Sequence, residues 1–220
     1  MEVSTGGLDL KLVTEASYGT DNIKETIISY SDNFTKLEKA LKESVTAPSL
    51  IPLGQEYDTG VIFWNGAPST GSYIGWVNTL KGLQVNPWQP KTEVKIGDKV
   101  KSIPTNGNYY TCISEGRTVA LQPVFYVGAG VEFSDASSAV LWKPNYNYEV
   151  NDIVVQTDGS KIFYYICETA GYTNSVEPSW TITPIGSTLI DGSVVWRKEK
   201  AVIWKQAGNT AEFRPFGKID

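Results

Sequence analysis

The chain has 220 residues, a net charge of -5, 12% aromatic residues, 2 Cys and no His. Mild acidity without a basic stripe sets nucleic acid aside as a partner, and the lack of histidine removes the side chain that most often runs acid–base chemistry near neutral pH, along with the commonest metal ligand. No run approaches 18 apolar residues and the opening MEVSTGGLDL has no basic stretch leading into an apolar one, so a soluble protein with neither membrane insertion nor export is expected.

Residues 1–19 are short, Gly-containing and without clear periodicity, and are read as an anchoring segment, either a strand that pairs with another protein or a tail. Residues 20–44 differ in kind. Ile23, Ile27, Tyr30, Phe34, Leu37 and Leu41 are spaced four, three, four, three, four, the a/d seam of a heptad, and Asn22 followed by Glu25 would serve as a capping box. This stretch predicts a helix that either lies on its own β domain or forms a short parallel coiled coil, with bulky Tyr30 and Phe34 better housed in three strands than in two. Residues 45–55, rich in Ser and Pro, read as a linker.

From Trp88 the chain repeats itself. Trp88, Pro90, Asp98 and Val100 recur as Trp142, Pro144, Asp152 and Val154; the pair Tyr109–Tyr110 recurs as Tyr164–Tyr165 and Cys112 as Cys167. QPVF from Gln122 meets EPSW from Glu177, GVEFSD from Gly130 meets GSTLID from Gly186, and AVLW ending at Trp142 meets SVVW ending at Trp196. Two modules follow, 88–141 and 142–200. A fainter copy over 56–87 places Gly60 against Gly97, Gly82 against Gly116 and Asn78 against the cysteines, but lacks the proline and aspartate half and reads as truncated. Residues 201–220 have no repeat partner by this reading.

Within each copy apolar residues alternate over runs of four to seven, the mark of half-buried strands, with Asn106–Gly107 and Asp158–Gly159 as the expected hairpin turns. Each module is therefore expected to be a small antiparallel sheet too slight to stand alone. Equivalent positions in successive copies rarely approach within the roughly 7 Å a disulfide needs, so Cys112 and Cys167 read as two small buried hydrophobes. Asp98, Asp152, Asp135 and Asp191 read as turn formers rather than a catalytic carboxylate pair. No catalytic residue, cofactor or metal site is expected. Trp142 and Trp196 read as core, whereas Trp88, Tyr146, Tyr148 and Trp180 are the candidates for an exposed glycan or protein surface.

The stretch Tyr57-x-x-Gly60, Pro68 to Val77 and Gly82, with the ending Trp204-Lys205 and Phe213 to Ile219, resembles carboxy-terminal segments of bacteriophage tail-fibre, tailspike and appendage proteins. The two modules beginning at Trp88 and Trp142 are similar to repeats of phage structural proteins and, more distantly, to small chitin-binding modules of bacterial glycosidases, although RKEKA follows Trp196 where those carry an adjacent tryptophan pair. Heptad, repeat and resemblance together lead to the expectation of a mainly β chain, an amino-terminal coiled-coil helix followed by tandem small antiparallel modules in an elongated trimeric fibre. The resemblance implies a non-enzymatic virion component, made in the host cytoplasm, that joins other virion proteins through residues 1–19 and contacts a host glycan or protein. A structural capsid-decorating, head-fibre or tail-joint protein and a secreted bacterial carbohydrate-binding protein are the alternatives.

Overall fold

The computed structural model describes residues 2–5, 8–11, 32–35, 45, 47–156 and 162–220. The fold is mainly β, with two compact units: residues 1–84 with 211–220, and residues 85–210. Glu2–Thr5 and Leu8–Lys11 pair with each other as an antiparallel hairpin. Of the expected helix only one turn, residues 32–35, is described, with Phe34 exposed. The seam residues Ile23, Ile27, Tyr30, Leu37 and Leu41, and the turn Asp158–Gly159, lie outside the described residues.

The second unit holds two five-stranded sheets that correspond strand for strand. One runs Glu132–Ser134, Ile203–Asn209, Asn108–Ser114, Lys99–Lys101, Asn86–Pro87; the other runs Thr188–Asp191, Val194–Lys200, Phe163–Thr169, Ile153–Val155, Val140–Leu141. Both are mixed rather than antiparallel as expected, because the edge strands Asn86–Pro87 and Val140–Leu141 pair parallel to their neighbours. Val140–Leu141, assigned to the first module from sequence, belongs to the second sheet. A two-stranded ribbon accompanies each sheet, pairing Val94 with Gly116 and Tyr148 with Gly171. A side chain on Gly116 would come within 2.2 Å of the Lys200 carbonyl, so only glycine fits there.

The repeats are nested in the chain rather than strung in tandem. The central strand Asn108–Ser114 takes Ile203–Asn209 as its partner, a strand that returns only after the whole second repeat has been completed. In the first unit, Tyr73–Asn78 takes Phe213–Lys218. The closing residues, without a repeat partner in sequence, thus supply the missing strands of both outer copies, and the first copy is a three-stranded sheet with a side ribbon pairing Tyr57 with Gly82.

The three copies share a corner. Gly60, Gly97 and Asn151, all at positive φ (90°, 92° and 77°), donate their N–H to the carbonyls of Asn78, Cys112 and Cys167 at 2.8, 2.9 and 2.9 Å. The carbonyls of the next residues, Val61, Asp98 and Asp152, accept the N–H of those same three positions. Left-handed backbone suits glycine and, less comfortably, asparagine. Asp98 and Asp152 hold their turns as expected, accepting from the N–H of Lys95 and Glu149. Asn106–Gly107 is not a tight hairpin but ends a longer connection, because the Asn106 amide is drawn inward to the Tyr110 hydroxyl and the Phe125 carbonyl.

Among the described residues three apolar clusters form. The largest joins both repeats of the second unit, with Val155, Tyr164 and Ile166 of the second packed among Tyr110, Val119, Phe133 and Trp204 of the first. Each repeat being too small to bury much alone, sharing a core adds the apolar area that neither supplies.

Candidate functional site

Each full repeat is pinned by a buried carboxylate. Asp135, fully buried, accepts the indole N–H groups of Trp88 and Trp204 on one oxygen at 3.0 and 2.7 Å and the Val119 N–H on the other at 2.7 Å. Asp191, equally buried, accepts those of Trp142 and Trp196 at 2.8 and 3.2 Å and the Asn174 N–H at 2.9 Å. Burial pushes the Asp135 carboxyl above its ordinary pKa, while the Val119 amide and the two indoles pull the other way. With both oxygens committed to fixed donors, neither aspartate is placed for chemistry, nor is either a mere turn former as read from sequence. The matching of Trp142 with Trp196 by sequence is also displaced: Trp142 is the counterpart of Trp88, and Trp196 of Trp204.

The cysteines are free and buried, each followed by the same bulge in pairing with the closing strand. Burial pushes both thiols up to about 11, which leaves them unreactive near neutral pH.

Of the four aromatic candidates, three are core. Trp88 serves Asp135; Tyr148 is 2% exposed, its hydroxyl accepting from the Lys143 N–H; Trp180 is stacked on Tyr165 at 4.0 Å with its indole N–H on Glu177. Proline neighbours and a polar local sequence suggested exposure, but Trp88 packs into the large shared cluster and Tyr148 and Trp180 into the cluster of the second repeat. Only Tyr146 is exposed, its ring edge-on to Tyr148 at 4.8 Å and 5.0 Å from the Lys143 ammonium.

Among the described residues, a cleft onto which Tyr146 opens and a second, charged one lie along the junction of the two repeats. The Tyr146 cleft, about 370 Å³, combines apolar Leu121, Val140 and Ile153 with polar Ser138, Asn151 and Asp152. The other, about 400 Å³, gathers Lys91, Arg117, Arg197, Glu168 and Glu199. Asn151 lines both, and its side-chain oxygen accepts from the Lys91 ammonium at 2.6 Å, a tie from the first repeat to the second. The Tyr164 hydroxyl makes a second tie, donating to the Arg117 and Thr118 carbonyls. Both volumes fall within the range of roughly 300–1,000 Å³ typical of small-molecule sites.

In the charged cleft Arg117 reaches Glu93 at 3.1 Å and lies 3.8 Å from Glu199, whereas Arg197 reaches Glu168 at 3.5 Å and Glu199 at 2.7 Å. Burial pushes the Glu199 carboxyl upward, with Arg197 and then Arg117 opposing. None of these charges was singled out from sequence. The signal was the alternation within Arg197-Lys198-Glu199, which sets Arg197 and Glu199 on one face of a strand and turns Lys198 to the other. There Lys198 is buried, donates to the Trp180 carbonyl at 3.2 Å and lies 4.8 Å from the Phe163 ring centre. Among the described residues no group of His, Cys, Asp and Glu is arranged to hold a metal, and no helix is long and apolar enough to cross a membrane.

Compared with protein-family models, curated proteins and solved structures, the chain matches none.

Proposed function

We propose that the chain is a non-enzymatic fibre or appendage component of a phage virion that contacts the host surface, with the Tyr146 cleft as its glycan contact. The observation that carries this reading is the exposed Tyr146 ring beside Ser138, Asn151 and Asp152, since an amphipathic ring offers a stacking face for a sugar and the polar groups take its hydroxyls. The resemblance of residues 56–219 to phage appendage segments supports the virion assignment.

In this reading Ile23, Ile27, Tyr30, Phe34, Leu37 and Leu41 form the seam of a homotrimeric coiled coil, residues 1–19 join other virion proteins, and three copies of a weak site give avidity. A glycan array on the full chain tests the contact: bound oligosaccharides should be lost with Tyr146→Ala. Sedimentation tests the stem, and a monomer would remove the fibre from the reading. The burial of Trp88, Tyr148 and Trp180 favours a second reading, a structural head-fibre or joint protein, in which no glycan binds.

A further inference from the structure

The charged cleft holds more than a structural ion pair requires. Glu199 has a side chain only 5% exposed, and its Oε1 faces the Arg197 Nε at 2.7 Å as an ion pair that lies off the line of a good hydrogen bond, and neither atom has another hydrogen-bond partner. A buried ion pair gains from further hydrogen bonds on the donors and acceptors it leaves over. Nη2 of Arg117 and of Arg197 likewise meets no acceptor among the described residues. The cleft therefore presents guanidinium donors and carboxylate acceptors side by side, walled by half-exposed Val150 and by Ile166.

This mixture discriminates among ligands. A compact inorganic anion would gain from Lys91, Arg117 and Arg197 but, like any carboxylate, be opposed by Glu168 and Glu199, and it carries no sugar hydroxyls to offset that. A neutral sugar would give hydroxyls to the glutamates and leave the two Nη2 groups, the guanidinium donors that do not already face Glu93, Glu168 or Glu199, without a charged acceptor. A sugar bearing a carboxylate satisfies both sets, with its C–H face against Val150 and Ile166. We infer that the cleft lined by Arg117, Arg197 and Glu199 is a binding site for a uronic-acid residue, so that the surface glycan contacted by the chain is acidic. The inference rests on the glycan-contact reading and deepens it: Asn151, common to both clefts, places the acidic unit next to the one that meets Tyr146.

The test is an NMR titration of the full chain with glucuronate, galacturonate, glucose, galactose and inorganic phosphate. Saturable uronate binding in the millimolar range or tighter, at least about tenfold stronger than for the hexoses and for phosphate, is expected. Arg197→Gln and Arg117→Gln should each weaken it by about tenfold or more, as loss of a charge-assisted bond does; Arg214→Gln, in the first unit, should not. If Arg197→Gln fails to fold by near-UV circular dichroism, Arg117→Gln and the wild-type ligand ranking still decide the matter. Phosphate binding as tightly as uronate, hexose binding as tightly as uronate, or no saturable uronate binding at concentrations of order 10 mM overturns the inference. Neutral glycan binding that is lost in Tyr146→Ala but unmoved by the arginine variants overturns this inference alone and leaves the glycan-contact reading standing.

Discussion

The first copy and the two full repeats share one corner and one pairing scheme, yet fill their centres differently. Where Cys112 and Cys167 bury a thiol, Asn78 buries an amide that donates to the Tyr57 and Asp58 carbonyls and accepts from the Glu212 N–H. Where the full repeats close with two indoles on an aspartate, the first closes with Tyr57, Phe63 and Phe213 meeting edge-on at 5.3–5.6 Å. The backbone frame is the constant and the core chemistry varies, provided every buried donor and acceptor finds its match. Asn78 succeeds because Glu212 and the Tyr57–Asp58 turn surround it with complementary groups.

The sharpest way to break this comparison is to remove a carboxylate. Asp135→Ala strands two indole N–H groups and the Val119 amide, and should lower unfolding free energy in urea by about 3–5 kcal/mol, with nothing comparable available in the first copy. Asn78→Ala removes both donations to the Tyr57 and Asp58 carbonyls and the acceptor of the Glu212 N–H, and should cost about 2–3 kcal/mol. Cys112→Ala removes one small buried group and should cost about 1 kcal/mol, so the ordering of the Asn78 and Cys112 variants tests whether polarity rather than position sets the cost. The native chain at pH 8 should resist iodoacetamide at both cysteines and react at both once unfolded; fast native alkylation would contradict their burial. The smallest effect is electrostatic. Glu199 has its folded pKa raised, so the folded state retains its proton longer, and its contribution declines as pH rises from the ordinary glutamate pKa through the folded one. Glu199→Gln should therefore gain stability relative to wild type as pH rises through that window, as compared urea midpoints would read.

The repeat was legible in sequence because the residues that make it are chemically scarce: tyrosine pairs, cysteines, and Gly or Asn at positive φ. Nesting was not. Phe213 to Lys218 and Ile203 to Asn209 carry no local sign of which distant strand they join, and pairing across a whole inserted repeat is a long-range matter that alternation does not encode. The same limit misplaced the tryptophans. AVLW and SVVW look alike, but Trp142 opens the second repeat, as its match with Trp88 also indicated, while Trp196 closes it, and the two indoles meet on one oxygen of Asp191. The charged cleft was hidden for a related reason, since Arg117 and Arg197 come from different repeats and line one cleft only once the repeats pack on each other through the shared core and the Tyr164 and Lys91 ties.

The nested pairing stands or falls on which tryptophans share an aspartate, and indole N–H resonances of the full-length chain report this directly. Asp135→Asn should shift the indole signals of Trp88 and Trp204 and speed their hydrogen exchange, while those of Trp142 and Trp196, held by Asp191, stay in place. A response from Trp142 in place of Trp204 would mean that the first repeat closes within its own stretch of sequence, and the nested fold would be wrong.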